Sequence, residues 1–148
     1  MTGYDFTDNS RAVLQAAREE SHRLNHEYLG TEHILLGLLR VPRSVALTVL
    51  TNLGIDPEAI RNEVERTVLR GTGSPPVGPD LPYTTRAKKA LELAITEVRE
   101  LDHAYVGSEH LLLGLARERG GIAAQLLNAH GGSLERLRAE VLRVLRPK

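Results

Sequence analysis

The sequence contains no cysteine and no tryptophan, a single phenylalanine and four tyrosines. Without cysteine there is no disulfide framework and no thiolate chemistry, which fits a reducing cytoplasm. With aromatic residues at 3%, a core has to be built from Leu, Ile, Val and Ala, a choice that favours helices over sheets. No apolar run approaches the ~20 residues that span a bilayer. The opening MTGYDFTDNSR lacks the basic and apolar regions of a secretory signal. Neither sign of charge is in excess: Lys plus Arg and Asp plus Glu are 19 each, so no global field attracts nucleic acid or anionic lipid. The chain also has no Gly-x-x-x-x-Gly-Lys-[Ser/Thr] loop for ATP and no Gly-x-Ser-x-Gly elbow. What remains, at 41% hydrophobic and 26% charged residues, is the composition of a globular helical protein. It is expected to be soluble and cytoplasmic, with no cofactor and neither nucleic acid nor membrane as a partner.

What the sequence does contain is a repeat. HEYLGTEHILLGLL at 26–39 returns as HAYVGSEHLLLGLA at 103–116, 77 residues on. The same offset aligns Phe6-Thr7 with Tyr83-Thr84, Leu14 with Leu91, Leu24 with Leu101, Ala46 with Ala123, Leu50 with Leu127 and Gly54 with Gly131. No gap is needed from residue 6 to residue 69, so one supersecondary unit is used twice. The expected organisation is a first repeat over 6–69, a linker over 70–82 and a second repeat over 83–146. RGTGSPPVGPDLP at 70–82 has three glycines and four prolines and cannot continue a helix. A lobe of about 65 residues buries a modest core alone, so the two are expected to pack together.

Each unit reads as four helices. Thr7 and Thr84 are caps for a first helix reaching about Leu24 and Leu101, with Val13, Leu14, Ala17 and Leu24 on one face. After Gly30, Thr31 is expected to cap a helix from Glu32 to about Arg40. Its ILLGLL core is apolar nearly all round, the mark of a buried centre. Ile34, Leu35, Leu36 and Leu38, with Leu111, Leu112, Leu113 and Leu115, are therefore assigned to the core rather than to a binding stripe. A third helix runs from about Ser44 to Leu53 and stops at Gly54. A fourth starts at Asp56-Pro57-Glu58, a cap followed by proline in the first turn, and Ser133 is the matching cap in the second copy.

LGTEHILLGLL and VGSEHLLLGLA, following FTD-x-x-R and YTTRAKKALELA, resemble the double Clp-N repeat, the N-terminal domain of Clp-type AAA+ unfoldases, nearest to the ClpC branch. The resemblance runs from about Phe6 to Leu145. It implies an all-α fold of two four-helix repeats related by a pseudo-twofold axis, about eight helices in all. It also implies a module that binds substrate and adaptor proteins and passes them to an ATPase ring, and in the ClpC branch recognises proteins marked with phosphoarginine. Compounds that target the N-domain, cyclic peptides among them, belong to the same expectation. The family's Gly-Glu-Gly-type loop after the second helix is replaced by Val41-Pro42-Arg43-Ser44 in the first copy, whereas Glu118-Arg119-Gly120-Gly121 stays closer.

The twice-used turn has a chemistry of its own. Free N–H groups at a helix N-terminus bind phosphate, and a carboxylate accepts a guanidinium through two parallel hydrogen bonds. A corner with both suits a group that is cationic and anionic at once, as phosphoarginine is. The resemblance assigns guanidinium recognition to Glu32 and Glu109, one site per lobe. Thr31 and Ser108, with the caps Thr7 and Thr84, are secondary candidates for phosphate contacts. The plain alternative is a surface carboxylate that favours the helix dipole by about 0.3–1 kcal/mol, whose removal leaves the fold intact.

An enzyme reading competes with the binding module: a small metal-dependent hydrolase using His26, Glu32 and His33 with His103, Glu109 and His110. Its weakness is spacing, since adjacent helical residues point roughly 100° apart and metal-binding helices place ligands at i and i+4. A satisfied, partly buried histidine fits better. Should the 148 residues be a complete gene product, the expected role is that of a decoy, an accessory adaptor or a sponge for N-domain compounds. A piece of a longer unfoldase has the same sequence.

Overall fold

The computed structural model describes residues 4–68 and 81–146. Most of the expected linker lies outside them. Among the described residues there are eight helices: α1 (Asp8–Arg23), α2 (Thr31–Arg40), α3 (Val45–Asn52), α4 (Pro57–Thr67), α5 (Thr85–Glu100), α6 (Ser108–Arg117), α7 (Ile122–Ala129) and α8 (Leu134–Val144). Each of the last four begins and ends 77 residues after its counterpart in the first four. The repeat seen in the letters is a repeat of backbone.

Local chemistry sets most helix ends. The Thr7 hydroxyl accepts from the Ser10 N–H at 3.1 Å, and Thr84 from the Ala87 N–H at 3.0 Å. Ser44, Asp56 and Ser133 cap α3, α4 and α8 in the same way, and Pro57 takes the first position of α4. Gly54 and Gly131, with φ of 74° and 90°, lie in the left-handed region beyond α3 and α7. One cap differs from the sequence expectation. The residue before α2 is Gly30, with Thr31 already inside the helix, and the orphan Gly30 N–H donates to Nδ1 of His33 at 2.8 Å. Gly107 and His110 repeat this at 2.9 Å.

Helices α2 and α6 form the centre, with Leu35, Leu36, Leu38, Leu112 and Leu113 at 0% exposure. Each such side chain contributes on the order of 1.5–3 kcal/mol by leaving water. Packing is most extensive between α1 and α2 and between α5 and α6. Gly37 and Gly114 make these crossings close: a Cβ at Gly37 would overlap the Val13 carbonyl oxygen, and one at Gly114 that of Ala90. Leu14, expected on the buried face of α1, is only partly buried at its edge.

The two sets of four helices interlock about their pseudo-twofold axis. Helix α3 packs on α8 and α4 on α7, and Asn52 donates to Glu140 at 3.0 Å. The segment entering each first helix pairs with the segment before the other set's central helix. Strands β1 (Asp5–Phe6) and β2 (Tyr105–Val106) form a short parallel pair, with Phe6 opposite Val106. Tyr83 opposite Leu29 is the same pairing carried forward 77 residues. These extended stretches are the departure from a purely helical expectation. They exist because a cap residue leaves its own N–H unpaired: Thr7 N–H donates to the Val106 carbonyl, and Thr84 N–H to that of Leu29, both at 3.0 Å. Leu81 and Pro82, expected as linker, belong to this arrangement; Leu81 is buried and the Pro82 carbonyl accepts from Leu29 N–H at 2.8 Å.

A buried carboxylate ties the helices within each set. Glu97 on α5 is fully buried and accepts from Arg117 on α6 at 2.6 Å and from Arg138 on α8 at 3.0 and 2.7 Å. Burial alone would raise the Glu97 carboxyl, but these arginines hold it below the usual carboxylate value. Glu20, Arg40 and Arg61 occupy the matching positions in the first set, with a looser geometry of 3.2 and 3.9 Å.

No single helix among the described residues is long and apolar enough to cross a membrane. The pair α2 and α3 reaches that composition only together, bent by 88°.

Candidate functional site

Two cavities, one on each side of the pseudo-twofold axis, contain the six residues singled out for phosphoarginine: Glu32, Glu109, Thr31, Ser108, Thr7 and Thr84. The first, about 320 Å3, is lined by Ser108 and Glu109 from the start of α6, by Thr7, Asp8 and Asn9 from the start of α1, and by Tyr105 and Val45. The second, about 380 Å3, is lined by Thr31 and Glu32 from the start of α2, by Thr84, Thr85 and Arg86 from the start of α5, and by Gly120 and Ile122. Each cavity joins the glutamate of one repeat to the threonine cap of the other. Each cavity therefore draws its lining from both repeats. The interlocked strands carry Thr7 to Glu109 and Thr84 to Glu32.

The glutamates are not surface groups, and that expectation is overturned. Glu32 is 7% exposed and Glu109 2%. Their carboxylates fold back beneath Gly30 and Gly107, where a Cβ on either glycine would overlap an Oε1 atom. Burial raises the Glu109 carboxyl above its ordinary value, and a hydrogen bond from its own backbone N–H only partly offsets this. Neither carboxylate makes an ion pair with any of the described residues, whereas Glu20 and Glu97 each pair with arginine. A buried anion with no cation is costly. An incoming guanidinium would supply the missing partner.

The secondary candidates divide. Thr7 and Thr84 are caps that also line the cavities. The Ser108 hydroxyl, instead of capping α6, accepts from the Ala46 N–H across the repeat interface at 3.2 Å. Thr31 packs against Gly121. Arg86 lies over Gly120 and pairs with Glu118 at 3.0 Å.

Sequence reasoning passed over Tyr28 and Tyr105. Both are partly exposed, at 36% and 40%, and each stands near one of the two glutamates. Burial first, and then the negative charge of Glu32 or Glu109, raise their phenol pKa values. Tyr28 is stacked on His26, with ring centroids 5.1 Å apart, whereas Tyr105 lines the Glu109 cavity, where a flat guanidinium can stack on it. The signal was present: two of four tyrosines recur at the repeat offset, in a chain almost without aromatics.

The metal-hydrolase alternative loses its ligand set. His26 Nδ1 lies 2.7 Å from His33 Nε2, and His33 Nδ1 accepts from Gly30 N–H. His103 and His110 do the same. Both ring nitrogens of His33 and of His110 are thus engaged in holding the turn, and the glutamate points away under its glycine. No group of three His, Asp or Glu side chains among the described residues is placed to hold a metal ion.

Comparison with known proteins gives this geometry a setting. A family model described as the Clp repeat (R) N-terminal domain matches residues 5–128 and 82–148. The chain is 47% identical over 140 residues to the negative regulator of genetic competence ClpC/MecB of Bacillus subtilis, covering 95% of this chain and 17% of that protein. It is 44% identical to the chloroplastic chaperone protein ClpC1 of Oryza sativa, covering 95% of this chain and 15% of the relative. The chain thus spans about a sixth of the length of the curated relatives it matches. The fold is also that of the N-terminal domain of ClpD from Arabidopsis thaliana (TM-score 0.75, 24% identity, 99% of this chain and 98% of that one). The N-domain of ClpV from Vibrio cholerae is similar (TM-score 0.78, 21% identity, 95% and 85%). Repeat, fold and sequence identity together place this chain in the Clp repeat N-terminal domain family.

Proposed function

We propose that this chain is a non-catalytic recognition module of a Clp-type unfoldase system. It binds substrate proteins marked with phosphoarginine, and adaptor proteins, for delivery to an ATPase ring. The observation that supports this reading most is the pair of buried, unpaired carboxylates, each facing the first turn of a helix from the other repeat. Glu32 and Glu109 accept the guanidinium, Tyr105 offers a face to stack on in the Glu109 cavity, and the N–H groups opening α5 lie across the Glu32 cavity for an anionic substituent. Because both cavities are already formed, little ordering entropy opposes binding.

Calorimetry with free phosphoarginine tests the reading. Binding to the wild type, absent in the Glu32→Ala, Glu109→Ala double variant, is the expected pattern. A double variant that binds like the wild type overturns it. In a degradation assay with a full-length Clp unfoldase and its peptidase, excess chain competes for marked substrate and slows turnover, and the double variant does not. Faster turnover would instead identify delivery in trans.

A further inference from the structure

The two cavities match in position but not in charge. At the first turn facing Glu32 stand Thr85 and Arg86. At the matching places facing Glu109 stand Asp8 and Asn9. A hydroxyl and a cation on one side are thus an anion and a neutral amide on the other, a difference of two charges. Asp8 also occupies the first turn of α1, where a carboxylate already answers the positive end of the helix dipole. Arg43, which corresponds in the repeat to Gly120, is exposed and outside the residues lining the Glu109 cavity.

We infer that the Glu109 cavity takes an unphosphorylated guanidinium, the side chain of an ordinary arginine, while the Glu32 cavity takes the phosphorylated one. The inference rests on reading both glutamates as guanidinium acceptors. Glu109 is 2% exposed, lines the cavity and has no ion-pair partner among the described residues, so a guanidinium entering beside Tyr105 completes an ion pair with a carboxylate shielded from water. Phosphate on that guanidinium would meet Asp8, whose exposed partner Arg11, 3.9 Å away, is outside the residues lining the cavity. In the other cavity, Arg86 exchanges its solvent-exposed bond with Glu118 for the phosphate, a small sacrifice for a pair of that kind. A marked protein that also carries a plain arginine would then engage both cavities at once, and the linked second contact raises avidity without new marks.

The test isolates each cavity with a single substitution. At low salt, Glu109→Ala keeps the Glu32 cavity and Glu32→Ala keeps the Glu109 cavity. Both are titrated by calorimetry with phosphoarginine and with N-acetylarginine amide. Glu109→Ala is expected to bind phosphoarginine at least tenfold more tightly than Glu32→Ala does, and Glu32→Ala to prefer the unphosphorylated amide. Adding Asp8→Thr and Asn9→Arg to Glu32→Ala should reverse that preference. Equal phosphoarginine affinity in the two single variants overturns the inference and leaves the proposed function standing. Failure of every variant and the wild type to bind either probe overturns both.

Discussion

Nε2 of His33 lies 2.7 Å from Nδ1 of His26, and the other nitrogen of His33 accepts the backbone N–H of Gly30. A backbone N–H can only donate, so His33 carries its proton on Nε2, gives it to His26, and has to be neutral. His103 and His110 repeat the relationship at 2.8 Å. Histidine therefore caps α2 and α6 in this chain, and the cap works in one protonation state.

Acid should undo it. Burial first, then the neighbouring His26, depress His33 to about 3, and burial and His103 depress His110 to about 4. The unfolded chain takes up these protons near 6.5, so it binds more protons than the fold below that pH. Stability is then fully present above pH 6.5 and falls as pH drops toward the folded values, by about 1.4 kcal/mol per pH unit for each histidine. Urea midpoints measured between pH 7 and 4.5 should decline steadily, and a flat profile would contradict the assignment.

Glu97 is the buried anion with partners, and its removal should cost what an isolated buried charge costs. Arg117 and Arg138 are 29% and 32% exposed and recover some hydration, so Glu97→Ala should lose about 3 kcal/mol, the low end for breaking a buried pair. Urea unfolding at neutral pH gives the number directly.

Glu109 is the opposite case. Its carboxyl is raised by burial and has no cation to offset that cost, so ionising this side chain weakens the fold. Glu109→Gln should raise Tm while abolishing N-acetylarginine amide binding at its own cavity. A calorimetric scan and a binding titration on the same variant separate the two effects.

The central glycines should tolerate nothing larger. Gly37→Ala and Gly114→Ala each drive a methyl group into a backbone carbonyl of the neighbouring helix, an overpacking cost of about 1–3 kcal/mol. Leu35→Ala, which empties space instead, should cost about 2–5 kcal/mol. Thermal unfolding of the three variants compares both errors in one core.

Because the cavities join the repeats, Thr84→Ala should weaken phosphoarginine binding in the Glu109→Ala background, where only the Glu32 cavity remains. The same change should spare N-acetylarginine amide binding in the Glu32→Ala background. Calorimetry on the two double variants reads this crossing, and a loss in the wrong background would reassign the partners.

The sequence by itself determined the helices, their caps at Thr7, Thr84, Asp56 and Ser133, and the leucine centre, because caps and helical periodicity act within a few residues. Its offset of 77 also picked out Glu32 and Glu109 as a pair. Tertiary structure alone decided what faces them. Thr7 is only 25 residues from Glu32, yet it lines the cavity of Glu109, 102 residues away, since parallel pairing of Phe6 with Val106 crosses the repeats. The burial of both carboxylates and the opposition of Asp8 and Asn9 to Thr85 and Arg86 follow from that crossing and from close packing at Gly37 and Gly114. These are contacts between distant segments, and no local pattern of residues encodes which distant surface a helix start will meet.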